Sequence, residues 1–295
     1  MQINNLRYLL ALDRERHFAR AARACNVSQP TLSAGIAALE AQLGRLLVVR
    51  DRRFIDLTSD GRAVLPWARQ AMAALDGLSQ AARATEGPLQ GELRLGVIPA
   101  SMPITGMIAT ALRVAYPHVR LAIHSLPSRE IAQRLTTFDL DAGITYIDHE
   151  PPGHIVAVPL YAESMTFVNR GGERSPASIG WEAALAQPLC LLHQGMQNRR
   201  ILDASLAGRG LAVSPAAVAD SYVALIALVE TGAFATIMPD TYAPLLPGWS
   251  RMTLFDDPIP PTRIGLVVPD RSPLAPLALA ALDIAERVRA GIDRK

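Results

Sequence analysis

The chain has 295 residues, half of them hydrophobic, with 29 basic and 27 acidic side chains. That is enough apolar material for one small and one larger domain. Two cysteines make no disulfide framework, and the longest uncharged stretch, Leu95–Leu112, is broken by Pro99, Ser101, Pro103 and Thr105, which argues against a membrane span. The opening, MQINNLRYLLALDRER, has too short an apolar run for a signal peptide, so a reduced, cytoplasmic setting with no membrane partner is expected. Charge is uneven. Residues 1–90 hold 12 Arg against 8 acidic residues (+4), and the remainder holds 17 basic against 19 acidic (−2). A basic first part beside a mildly acidic larger part suits nucleic acid at one end.

Residues 4–15 read as a helix and Phe18–Cys25 as a second, short one, followed by a turn at Asn26-Val27. Ser28 is a good N-cap for a third helix, and Pro30 sits in its first turn, where a missing N–H costs nothing. Leu32, Ile36, Leu39 and Leu43 form one apolar stripe, and Gly44 ends the helix. Leu46–Val49 and Phe54–Leu57 flank the charged turn Arg50-Asp51-Arg52-Arg53, a hairpin with a basic tip. Thr58 and Asp60 open a long helix to about Ala84 carrying Leu65, Met72, Leu75 and Leu78 on one side. Glu86 to Gly91, with Gly87 and Pro88, reads as a hinge. Beyond it strands and helices alternate with short connections, an α/β pattern. Strands are expected at Glu92–Ile98, Val119–Leu126, Asp141–Tyr146, Ile155–Leu160, Met165–Asn169, Leu189–Leu192, Phe234–Met238, Met252–Phe255 and Arg263–Val268.

Helix, short helix, turn, helix and basic hairpin is the order of a winged helix-turn-helix, whose third helix enters the major groove. Gln29, Pro30, Thr31, Ser33 and Ala34 lie on its leading edge, with Ser28 at the cap. Gln29 is suited to adenine, Thr31 and Ser33 to bases or phosphate, and Arg50, Arg52 and Arg53 of the wing to phosphates or a narrow minor groove.

Ala21-Ala22, Val27 through Ser33, Ile36, Leu39-Glu40, Leu43-Gly44, Leu46-Leu47, Arg50, Arg53, Leu57-Thr58 and Gly61 closely resemble the signature of LysR-type transcriptional regulators. Gly91 through Gly96, Tyr116-Pro117, Leu140-Asp141 and Gly232 through Pro239 resemble later landmarks, so the likeness covers essentially the whole chain. It implies a winged helix-turn-helix (1–58), a linker helix and hinge (59–90), and an effector domain (91–295) folded like a type 2 periplasmic binding protein. Its lobes would be 92–161 with 269–295, and 162–268. It also implies promoter DNA, a small-molecule effector and further copies of the chain, as a dimer of dimers, as partners; RNA polymerase is a further candidate. By position, Gln29, Pro30, Thr31, Ser33 and Arg53 match the family's DNA contacts. Ala34 stands where many members carry a long polar side chain, and Val48-Val49 replaces a common Phe-Glu pair in the wing. The linker stripe admits two readings, contact between subunits or packing on its own domain; the first is favoured because so long a helix has little of its own chain to cover it.

In that architecture the effector lies between the lobes, near strand ends and helix N-termini. Ser101, Ser128, Thr145 and Tyr146 are expected from one lobe, and Gln194, Met196, Asn198 and Ser221 from the other. A small organic anion is the expected ligand, and Met196–Ile201 resembles a subset of the family tied to small-acid metabolism, including formate dehydrogenase control. Motifs for Ser hydrolases, zinc sites, P-loops and dinucleotide folds are not evident, so neither catalysis nor a cofactor nor a metal is expected. A solute-binding receptor and a cysteine-based redox sensor are the rival readings.

Overall fold

The computed structural model describes residues 1–50, 54–171 and 177–292. The chain divides into one compact unit built on Met1–Gly87 and a second built from Pro88 onward.

The first unit runs α1 (Ile3–Glu15), α2 (Phe18–Ala24), α3 (Gln29–Leu43), β1 (Val48–Arg50), β2 (Phe54–Leu57) and α4 (Ser59–Glu86). Leu9, Leu12, Leu32, Ile36, Leu39 and Leu47 are fully buried at its centre. Each such side chain contributes about 1.5–3 kcal/mol by leaving water. Gly44 takes a left-handed φ of 64° and stops α3. Leu43, expected in the buried stripe, is 40% exposed, because α3 outruns the core by its last turn. Gly61 is required by close approach: a Cβ there would lie 2.1 Å from the Leu47 carbonyl oxygen. The linker stripe splits in two. Leu65 and Ala68 are buried and Met72 packs on the same core, so this half covers its own domain. Leu78 is 69% exposed.

The second unit opens with β3 (Gly91–Val97), a 3₁₀ turn at Pro99–Ile104, α5 (Thr105–Ala115), β4 (Val119–Ser125), α6 (Ser128–Thr136), β5 (Ala142–Tyr146) and β6 (Ile155–Glu163). It continues with β7 (Met165–Arg170), β8 (Ser178–Ile179), α7 (Trp181–Leu185), β9 (Cys190–Leu192), α8 (Gln197–Ala207), β10 (Ala217–Ala219) and α9 (Tyr222–Glu230). β11 (Thr236–Pro239), a 3₁₀ turn at Asp240–Leu245, β12 (Ser250–Phe255), β13 (Thr262–Pro269) and α10 (Pro276–Ile292) complete it. One sheet has the order β4–β3–β5–β13–β6 and another β11–β7–β12–β8. β3 is parallel to β4 and β5, whereas β13 is antiparallel to both β5 and β6. The chain thus passes from the first lobe to the second at Glu163–Met165 and returns between Phe255 and Thr262. This corrects the expected lobe boundary: residues 262–268 belong to the first lobe, because β13 pairs along its whole length with β6. The short pieces β8, β10, α7 and both 3₁₀ turns were not read from the sequence, since none is long enough to show a period.

Candidate DNA-binding face and effector cleft

Ser28 caps α3, its Oγ accepting the Thr31 N–H at 3.2 Å and lying 2.7 Å from the Thr31 hydroxyl. Ser28, Gln29, Pro30, Thr31 and Ala34 are exposed, and Ser33 is half-buried. Leu32, Ile36 and Leu39 anchor the opposite side of the same helix, fully buried. Asn26, with a left-handed φ of 55°, makes the sharp entry that aims this end outward. The arrangement presents a polar helix end on a rigid base, the geometry that reads base edges in a major groove. Arg52, Arg53 and the side chain of Arg50 lie outside the described residues.

In the second unit, Ser128, Tyr146, Met196 and Asn198 line one cleft between the lobes, together with Ile98, Pro99, Ala100, Pro127, Leu192 and Gln197. Ser128 begins α6, and Gln197 and Asn198 begin α8, so two helix N-termini open onto the same space. Their first-turn N–H groups and aligned dipoles favour an acceptor or an anion. The cleft is narrow and partly open to solvent, with ≈ 10 Å³ of room for a water-sized sphere, about what one water molecule needs.

The other expected residues lie elsewhere. Ser101 is fully buried in the 3₁₀ turn, where its Oγ accepts the Tyr161 hydroxyl at 2.9 Å. Thr145 is buried within β5. Gln194 is exposed in the loop before α8. Ser221 caps α9, accepting the Val223 N–H at 3.2 Å.

Beneath the cleft sits a polar cluster with no sequence motif. Glu163, only 3% exposed, accepts the Tyr146 hydroxyl at 2.8 Å and the Asn198 Nδ2 at 3.3 Å, both at Oε1. Among the described residues its Oε2 has no hydrogen-bond partner, nor does the buried Tyr222 hydroxyl. Burial pushes the Glu163 carboxyl up to about 8; Asp240 adds to the rise, while the bonds from Tyr146 and Asn198 oppose it. Burial and the Glu163 charge together hold the hydroxyls of Tyr146, Tyr161, Tyr222 and Tyr242 protonated. Tyr242 crosses from the second lobe to donate to the Pro99 carbonyl at 2.7 Å, beside the cleft. An isolated acid ending an apolar strand was the one visible signal for Glu163.

Residues 3–62 match the family described as bacterial regulatory helix-turn-helix protein, lysR family, and residues 86–290 match the LysR substrate binding domain. The chain belongs to the LysR family of transcriptional regulators. This LysR-type regulator is 33% identical over 276 residues to the probable hydrogen peroxide-inducible genes activator of Mycobacterium avium, covering 90% of the chain and 87% of that protein. It is 36% identical over 156 residues to the HTH-type transcriptional regulator EstR of Acinetobacter baylyi, covering 52% of each. Among solved structures it resembles a full-length OxyR variant from Pseudomonas aeruginosa, with a TM-score of 0.78 at 25% identity, covering 98% of this chain and 95% of that one. Full-length CbnR in complex with its target DNA has the same fold, with a TM-score of 0.68 at 20% identity, covering 98% and 100%.

Proposed function

We propose that this regulator reads promoter DNA through the face Ser28–Ser33 and responds to a small organic acid held between the lobes of its effector domain. The observation that carries the second half is the convergence of the α6 and α8 N-termini, with the Ser128 hydroxyl, on one cleft. The N–H groups of those first turns and Ser128 supply the contacts for a carboxylate. The cleft is narrow, so an effector seated in it moves the lobes relative to one another, and that movement is the signal passed to the DNA-binding domains. Footprinting of the DNA flanking its gene, with a panel of small organic acids added, tests this. A ligand-dependent change in the protected region supports it, and identical footprints with a tightly bound acid overturn it.

The names of several relatives raise a peroxide response through cysteine. Cys190 speaks against it: the side chain is fully buried, and burial pushes its thiol up to about 11. Cys25 is half-buried in the DNA-binding unit, and desolvation raises its thiol too. A peroxide-sensing cysteine needs an accessible thiolate.

Self-association is the third element of the reading. Met1, Ile3, Leu6, Ala71, Ala74, Leu75 and Leu78 line an apolar groove along α1 and α4. A second copy laid on this face would cover the half of the linker stripe that its own core leaves open, and a two-fold dimer would require paired half-sites in the DNA.

A further inference from the structure

The side chains lining the cleft divide unequally into donors and acceptors. Gln197 is 5% exposed and donates an Nε2–H to the backbone oxygen of His149, which leaves its Oε1 with no hydrogen-bond partner among the described residues. Asn198, 7% exposed, commits its Nδ2 to the Tyr146 hydroxyl at 3.0 Å and to Glu163. Its amide oxygen, on the opposite side of the same planar group, has no partner among the described residues. The Tyr146 proton is likewise directed away, toward Glu163. The hydrogens of this wall therefore point into the protein, and its oxygens are left over.

Of these two, Gln197 Oε1 is fully buried, and so deeply buried an acceptor carries a desolvation cost that a donor relieves. Both sit on the first two residues of α8, so they lie within one helical turn of the free N–H groups at its N-terminus. A ligand meeting both must carry an acceptor and a donor on neighbouring atoms. A plain or dicarboxylic acid offers only oxygens, and an oxygen placed against Gln197 Oε1 sets two acceptors face to face.

We propose that the ligand of this cleft carries a hydroxyl or ammonium group beside its carboxylate, making it a 2-hydroxy acid or an amino acid. The inference rests on the reading that an acid binds at the α6 and α8 N-termini, and it adds the donor. A site built to bond a donor discriminates strongly against the analogue that lacks it.

Propionate, lactate, alanine and 1,2-propanediol share a three-carbon skeleton and separate the two groups. Calorimetry on the full-length protein should show lactate or alanine binding at least ten-fold tighter than propionate. Gln197→Leu should bring that ratio toward one, and Gln197→Glu, which keeps an acceptor and adds charge, should favour alanine over lactate. Unchanged melting and DNA affinity in each variant establish that it is folded. Propionate binding as tightly as lactate and alanine overturns the donor and leaves the acid reading standing. Binding of 1,2-propanediol with no acid bound overturns the acid reading and leaves the donor. Binding of none of the four at millimolar concentration overturns both.

Discussion

Glu40 reaches out of α3 to Leu47: its Oε1 accepts the Leu47 N–H at 2.9 Å and the neighbouring Val48 N–H at 3.1 Å. Glu40 is 7% exposed and ties α3 to the start of β1. Glu40→Ala leaves two buried N–H groups without an acceptor, a loss of roughly 1–3 kcal/mol each when nothing replaces it. Chemical denaturation should show the N-terminal unit losing stability by that order, and Glu40→Gln, which keeps an oxygen in place, should lose less.

The contact at Gly61 is a matter of space. Its place against the Leu47 carbonyl is backbone against backbone, so neither side has a flexible end to move. Gly61→Ala should destabilise the same unit by about 1–3 kcal/mol, the usual cost of forced overpacking. It should also weaken DNA binding by displacing the wing from α4. A variant that melts and binds like the parent would contradict this.

Stability of the effector domain should fall as pH rises. Glu163 titrates at about 8 in the folded chain against an ordinary value of 4.5. Between those values the folded state holds a proton that the unfolded chain has released, so raising the pH favours unfolding. The slope is at most about 1.4 kcal/mol per pH unit. Calorimetric melting across that window should show the effector transition dropping with pH, then levelling above about 8. Glu163→Gln should flatten the dependence; an equally steep profile in the variant would exclude Glu163 as its source.

Peroxide should not act through Cys190. The thiol is fully buried against the carbonyl oxygens of Ala235 and Leu225, at 3.4 and 3.7 Å. Intact-mass measurement after peroxide treatment of the native protein should find Cys190 reduced, and Cys190→Ala should bind DNA as the parent does, with or without peroxide. Oxidation of native Cys190 accompanied by a change in DNA affinity would reinstate the redox reading.

What the sequence displayed and what it hid follow from range. Ser28, Pro30 and Gly44 bound α3 because capping and left-handed turns are written in adjacent residues. Gln29 and Thr31 were legible for the same reason: a helix start with polar residues at its edge needs no distant partner. Glu40 was legible only as part of a motif, since an acid beside a leucine stripe looks like surface until the wing folds over it. Ser101 was misplaced because its true partner, Tyr161, lies 60 residues away. Glu163, Tyr146 and Asn198 come together from three elements with no local pattern in common. Met196 and Asn198 line the cleft because the end of a strand before a helix is where α/β folds open their clefts.

Sequence-specific binding through the leading edge of α3 should be visible directly in solution. Fluorescence anisotropy with the promoter fragment flanking the gene and a random duplex, across a salt series, tests it for the parent and Gln29→Ala. The parent should prefer the promoter fragment, and Gln29→Ala should lose about 1–3 kcal/mol of that preference. Binding to random duplex should stay the same in both and fall steeply with salt as phosphate contacts release counterions. A parent with no preference between the two duplexes, or a Gln29→Ala protein with the preference intact, would contradict the account.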